Sequence, residues 1–226
     1  MKVTNYGHAC FSVEIKGKKL LFDPFISPNP LAQEIDIKSI EADYVLISHG
    51  HEDHIADAKQ IIEQSRSLLI TNYELSNWFK EQGVSNTHPM NIGGSVSLDF
   101  GRVNFVQAAH SSSLPDGSYA GEAGGFIIES KEGNFYFAGD TGLTSDMKLI
   151  TEFKDLDFAF LPIGGNFTMD TEAAIMASDF IKCKTIIGMH YNTFDMIKID
   201  KEDAIEQFAA VQKELVLIDI GKTINL

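Results

Sequence analysis

Polar and apolar residues alternate through the opening stretch of the chain, which predicts strands over residues 2–6, 10–15 and 18–22, the last two joined by a turn at Gly17. Residues 23–30 carry three prolines and read as a loop. Residues 44–48 (YVLIS) are apolar almost throughout, the pattern of a strand buried on both faces. Helix-compatible spacing follows over 55–64 and 73–82, with Gly83 as a stop. Strands are then predicted over 95–98, 103–108, 125–130 and 134–138. From there helices over 145–153, 171–181 and 201–212 alternate with strands over 158–161, 185–189 and 215–218. No Ser/Gly-rich linker, charge block or short repeat divides the chain. The expectation is one α+β domain over residues 1–226, built of two packed sheets with helices outside.

At 226 residues the chain is long enough to bury a core without staples, and 44% hydrophobic and 22% charged residues are ordinary globular values. The two cysteines, Cys10 and Cys183, form no disulfide framework and read as buried small residues. A reducing compartment follows from that usage. The N-terminus lacks the apolar stretch of a signal peptide, and no run of 18 apolar residues occurs, so the expected location is cytoplasmic, with no membrane partner. The formal net charge of −14 opposes contact with nucleic acid or anionic lipid. Only two arginines, Arg66 and Arg102, are present, so guanidinium clamps on phosphate must be few.

The chemistry concentrates in one segment. Three of the seven histidines fall within His49-Gly50-His51-Glu52-Asp53-His54, directly after the YVLIS strand. In extended backbone, residues two apart point the same way, so His49 and His51 can converge on one ion. A turn into helix near Glu52 would redirect Asp53 and His54 toward a neighbouring point, and Gly50 permits a sharp path. A solvated polar loop would not need this concentration of ligand types. Elsewhere the residues are weaker alone. His110 reads as a structural histidine, and His190 as either a ligand or a hydrogen-bonded core residue, whereas Asp140 in GDTG, by its place after an apolar strand, reads as a ligand rather than a mere turn aspartate. His88, before Pro89, reads as a surface residue.

HGHEDH resembles the HxHxDH signature of the metallo-β-lactamase superfamily. The other positions follow in order at predicted strand ends: His110, Asp140 in FAGDTG, His190 in IIGMHYNTF, and an early aspartate, Asp23, in FDPF. That resemblance spans nearly the whole chain and implies an αββα sandwich of two mixed β-sheets with metals at one edge. It further implies that His49, His51 and His110 hold one metal, that Asp53, His54 and His190 hold a second, and that Asp140 bridges them. Asp23 would orient a histidine ligand. Two divalent ions, two carboxylates and one hydroxide sum to about +1, so such a pocket attracts an anion in an acidic protein.

GHACF, PIGGNFTMD and HYNTF further resemble small metal-dependent hydrolases related to ascorbate-6-phosphate lactonase. With Asp53, His8 of GHACF is a candidate to serve the reaction, either as a proton donor or through a structural hydrogen bond. Asn192 and Thr193 are candidates for polar contacts to substrate, and Asp170 suits a helix N-cap. The expected activity is hydrolysis of a small ester or lactone, anionic substrates included, by water activated at a dinuclear site. Alternatives are a phosphodiesterase, a redox di-iron site, against which His51 argues, and a metal-binding module without turnover. Zinc is the default for this ligand set, with manganese or iron as competitors. A small molecule is the expected partner, and a homo-oligomer would be unsurprising.

Overall fold

The computed structural model describes residues 1–152 and 154–226. Chain alternation becomes a first sheet of seven strands. These are β1 (Lys2–Gly7), β2 (Cys10–Ile15), β3 (Lys18–Phe22), β4 (Tyr44–Leu46), β5 (Leu68–Asn72), β6 (Thr87–Met90) and, returning from the C-terminus, β14 (Thr223–Asn225). Their order is β14-β1-β2-β3-β4-β5-β6, antiparallel as far as β3 and parallel from β3 to β6. The second sheet holds β7 (Ser95–Ser97), β8 (Gly101–Gln107), β9 (Gly124–Ser130), β10 (Asn134–Phe137), β11 (Phe158–Pro162), β12 (Thr185–Met189) and β13 (Glu214–Val216). Here too the antiparallel part, β7 to β10, passes into a parallel part, β10 to β13. The αββα sandwich of two mixed sheets expected from the sequence is therefore the observed fold.

Period-two geometry explains why the YVLIS run is apolar throughout. Leu46 joins the core between the sheets, with Leu20 and Phe22 of the neighbouring strand. Val45 and Ile47 point the other way, into a second core with Leu21 and the helices α2 (Ala58–Ser65) and α3 (Tyr73–Glu81). The inter-sheet core is rich in aromatics. Phe22 stacks on Phe137 of the opposite sheet with ring centroids 4.5 Å apart, and Phe11 meets Phe160 at 5.0 Å. Helices α5 (Thr171–Phe180) and α6 (Lys201–Ala210) contribute Ala174, Ala177, Ala204 and Phe208 to the same core. Asp170 caps α5 as its type suggests, accepting from the Ala173 amide at 2.9 Å. Cys10 and Cys183 are both buried.

Several boundaries differ from expectation for local reasons. The helix predicted over 55–64 is two helices, α1 (Glu52–Ile55) and α2. They part at Asp57, whose carboxylate leaves the helix pattern to accept from the Ile26 and Ser27 amides at 2.6 and 2.8 Å, anchoring the proline loop. The helix predicted over 145–153 shortens to α4 (Met147–Ile150), and its last predicted residue, Phe153, lies outside the described residues. Strands β5, β6 and β14 were not predicted. Pro89 sits within β6, which lies at a sheet edge, where a missing amide costs no ladder bond. His88, expected on the surface, is a half-buried residue of that strand, opposite Ile70. No helix among the described residues is long and apolar enough to cross a membrane.

Candidate metal centre

Strands β1, β3 and β4 run one way in the first sheet, and β8, β10 and β12 share a direction in the second. Six candidate residues lie just beyond the carboxyl ends of these strands, His8 after β1, Asp23 after β3, His49 after β4, His110 after β8, Asp140 after β10 and His190 after β12, and the chain runs on from His49 through His51 to Asp53 and His54 in α1. That is where open sheets gather ligands. The two edges are tied together by backbone. The His190 amide donates to the His8 carbonyl at 3.0 Å, and the Gly124 amide to the Ser48 carbonyl at 3.1 Å. Three of the site residues, His8, Asp23 and His190, have left-handed backbone, with φ of 57°, 42° and 55°. Such conformations cost of order 1–3 kcal/mol for a non-glycine residue and persist where the surroundings over-determine them.

The fold brings together all seven predicted metal-site residues. One set consists of His49, His51 and His110, and the other of Asp53, His54 and His190, joined by His8; the ligand atoms within each set lie within 4.8 Å of one another. Asp140 stands between them. Its Oδ2 is 3.0 Å from Nε2 of His190, 3.4 Å from that of His54, 3.5 Å from that of His110 and 4.0 Å from that of His49. One carboxylate oxygen thus sits at the centre of four imidazoles drawn from both sets.

Outer partners hold these rings. Asp23 Oδ2 pairs with His54 Nδ1 at 2.8 Å and accepts from the Ser48 hydroxyl at 2.5 Å, while Oδ1 accepts from the Ser48 amide at 2.8 Å. Ser48 Oγ in turn meets His49 Nδ1 at 2.9 Å. The expectation that Asp23 contacts a histidine of the motif is met in the geometry. Ser48 was missed because, as the last residue of an apolar run, it read as strand rather than as a side chain facing the site. Thr141 was missed too. Its hydroxyl accepts from the Ala109 amide at 3.0 Å and so ties the segment of His110 to that of Asp140. Thr193 and Asn192, expected to face substrate, are engaged within the protein. Thr193 Oγ1 meets His8 Nδ1 at 2.9 Å, and Asn192 Oδ1 accepts from the Ile199 amide at 2.7 Å.

His8 is buried, and both of its nitrogens are occupied, Nδ1 by Thr193 and Nε2 by Asp53 Oδ2 at 3.1 Å. A cavity of about 330 Å³ abuts it, lined in part by Phe11, Tyr191 and Ile218. Phe194, partly exposed, meets the His8 ring edge-on at 5.4 Å.

Burial and charge pull the site's groups in opposite directions. Burial lowers His8 to about 4, helped by the neighbouring His190, and it keeps His49 well below the ordinary imidazole value. Burial also opposes charge on His54 and His190, but Asp140 outweighs it, holding His54 well above the ordinary value and raising His190 to about 9. Conversely, burial disfavours the Asp140 carboxylate, yet the charges of His190 and His54 hold it well below the usual carboxylate range.

Four atoms at this point, His54 Nε2, Asp140 Oδ1, and Nδ1 and Nε2 of His190, are buried with no hydrogen-bond partner among the described residues. Buried polar atoms are normally paired. His54 Nε2 and His190 Nε2, left open beside the Asp140 carboxylate, fit a divalent cation as their missing partner, whereas His190 Nδ1 lies on the other side of its ring.

A two-sheet sandwich with histidines and aspartates converging at one edge defines the class: a metallohydrolase. Residues 18–218 match the family described as the beta-lactamase superfamily domain. The chain is similar over its full length, and over 100% of each relative, to metal-dependent hydrolases named UPF0173 from Flavobacterium johnsoniae and Methylacidiphilum infernorum, each at 50% identity. Among solved structures it is similar to Igni18, a metallo hydrolase of the archaeon Ignicoccus hospitalis, at 33% identity and TM-score 0.89, with 99% of this chain and 97% of that one covered. The protein belongs to the beta-lactamase superfamily and is a metal-dependent hydrolase.

Proposed function

We propose that the protein hydrolyses a small carboxylic ester or lactone at a site holding two divalent ions. His49, His51 and His110 would hold one ion and Asp53, His54 and His190 the other, with Asp140 placed between the two sets. The observation that carries this reading is the position of Asp140 Oδ2, within 4.0 Å of four imidazole nitrogens from both sets. Zinc suits the all-imidazole-and-carboxylate donors, and manganese or iron can occupy the same set. Ions held there would supply a nucleophile at neutral pH by lowering the pKa of water from 15.7 toward ~7.

The chain's own residues do the rest. Asp23 and Ser48 orient His54 and His49, so the ligand lone pairs meet at fixed points. The buried walls around His49, His54 and Asp140 exclude bulk water from the inner side of the site. His51 and Asp53, partly exposed, leave the outer side open to a small molecule. A carbonyl substrate fits better than a phosphodiester, because neither arginine lies at the site. Arg102 bonds Ser95 on the outer strands, and Arg66 ends α2.

The test is elemental analysis of the purified protein beside a screen of lactones, thioesters, simple carboxylic esters and bis(p-nitrophenyl) phosphate. Two equivalents of metal with turnover of a carboxylic ester or lactone is the expected result. One equivalent, or turnover of the phosphate alone, would overturn the reading.

A further inference from the structure

The side chain of His8 is wholly enclosed, and Thr193 is only 7% exposed. They come from different sheets, His8 following β1 and Thr193 following β12, yet Thr193 Oγ1 and His8 Nδ1 lie 2.9 Å apart. On the opposite side of the ring, Nε2 lies 3.1 Å from Asp53 Oδ2. The two contacts fix the direction of each hydrogen bond. An ionised carboxylate only accepts, so Nε2 carries the proton. In a neutral imidazole Nδ1 is then a bare acceptor, so the Thr193 hydroxyl must donate to it. Among the described residues the one other acceptor near that hydroxyl, the Tyr191 carbonyl, is 3.4 Å away, at the limit of a hydrogen bond.

We infer that Thr193 is a positioning residue for the metal centre, fixing His8 in the Nε2–H form so that His8 holds the Asp53 carboxylate in place. The inference rests on the reading of Asp53 as a ligand. Asp53 needs such a support more than the other carboxylate does. Its side chain is 27% exposed against 3% for Asp140, and it stands at the start of a four-residue helix. The support is itself rigid. The His8 carbonyl accepts from the His190 amide, so one residue with left-handed backbone braces two neighbouring ligand positions, one through its backbone and one through its ring. Partners that orient ligands in this way typically contribute 10–100-fold in metal affinity.

The experiment combines ¹⁵N NMR of the histidine side chains with zinc titration against a chromophoric chelator, both on the full chain. The wild-type protein stripped of metal is expected to show His8 protonated at Nε2, with Nδ1 shifted by a hydrogen bond. Thr193→Val should lose that shift and weaken uptake of the second zinc ion by about 10–100-fold. Thr193→Ser, which keeps the hydroxyl, should restore both. His8 protonated at Nδ1 in the wild type would overturn the proposal, and so would a folded T193V that binds two zinc ions as the wild type does. The wild-type spectrum decides even where T193V does not fold. Asp53→Ala separates the two readings: two-ion uptake unchanged in D53A removes the ligand assignment itself, whereas a loss there beside a normal T193V removes only the role of Thr193.

Discussion

Asp23 and His54 face each other in complete burial, Oδ2 to Nδ1 at 2.8 Å, and neither side chain reaches solvent. The same carboxylate accepts from the amide and hydroxyl of Ser48, whose hydroxyl meets His49. One aspartate at the end of β3 therefore sets the orientation of two imidazoles, one directly and one through a serine. Removing an acceptor from such a network leaves several buried donors unpaired, each at a cost of about 1–3 kcal/mol.

Asp23→Asn puts an amide N–H where an acceptor is required, facing either the Ser48 amide or both the Ser48 hydroxyl and the His54 ring. The variant is expected to keep its secondary structure but to bind zinc about 10–100-fold more weakly. Chelator competition beside far-UV circular dichroism measures both, and wild-type affinity would show that Asp23 does not orient the ligands.

Asp140→Asn removes half the negative charge that the two carboxylates bring to the centre. Affinity for the paired ions should fall by at least the ~100-fold upper limit known for outer partners, and hydrolysis with it. Metal stoichiometry by elemental analysis is the readout. Unchanged stoichiometry and rate would contradict the bridging position.

In protein stripped of metal, Asp140 raises His190 to about 9 from the ordinary 6.5. A raised value means that this imidazolium contributes stability fully below pH 6.5 and loses it as pH rises through 9. Ligation needs the neutral ring, so loading at pH 7.5 must expel a proton from His190, and metal affinity must climb toward pH 9. Calorimetric titration of zinc in buffers of different ionisation enthalpy counts the protons. No release at pH 7.5 would refute the prediction.

Gly139 precedes Asp140 with φ of 60°, and a β-carbon there would come within 2.7 Å of Ser48 Cβ and 2.8 Å of the Gly124 carbonyl oxygen. Gly139→Ala should cost roughly 1–3 kcal/mol, lowering the melting temperature by about 2–4 °C per kcal/mol. It should also displace Asp140 and weaken metal binding. A thermal melt equal to wild type would show that the turn relaxes freely.

Much of this was legible in the chain. Period-two alternation located β2 and β3, and continuous apolar runs located β4, β11 and β12, because burial on one or both faces leaves its mark on consecutive residues. The HGHEDH cluster announced a metal because imidazoles and carboxylates are seldom packed so closely without one. Strands whose stability comes from neighbours rather than from their own pattern were not legible, among them β6 with its proline and β14, whereas β5 carries an apolar run, Leu68 to Ile70, too short to mark a strand by itself. Asp57 shows the same limit inside a helix pattern: its contact with the amides of residues 26 and 27 broke a helix that local spacing predicted whole.

By itself the sequence placed histidines and aspartates at strand ends and set the two-layer class of fold, since both follow from local pattern, while the grouping of His110, Asp140 and His190 with HGHEDH came from the resemblance to the superfamily. Which nitrogens converge on Asp140, that Ser48 and Thr193 serve as braces, and that His8 turns its ring inward between Thr193 and Asp53 were decided only by tertiary structure. The reason is distance along the chain. His8 and Thr193 are 185 positions apart, and a hydrogen bond between them exists only once the two sheets have packed face to face.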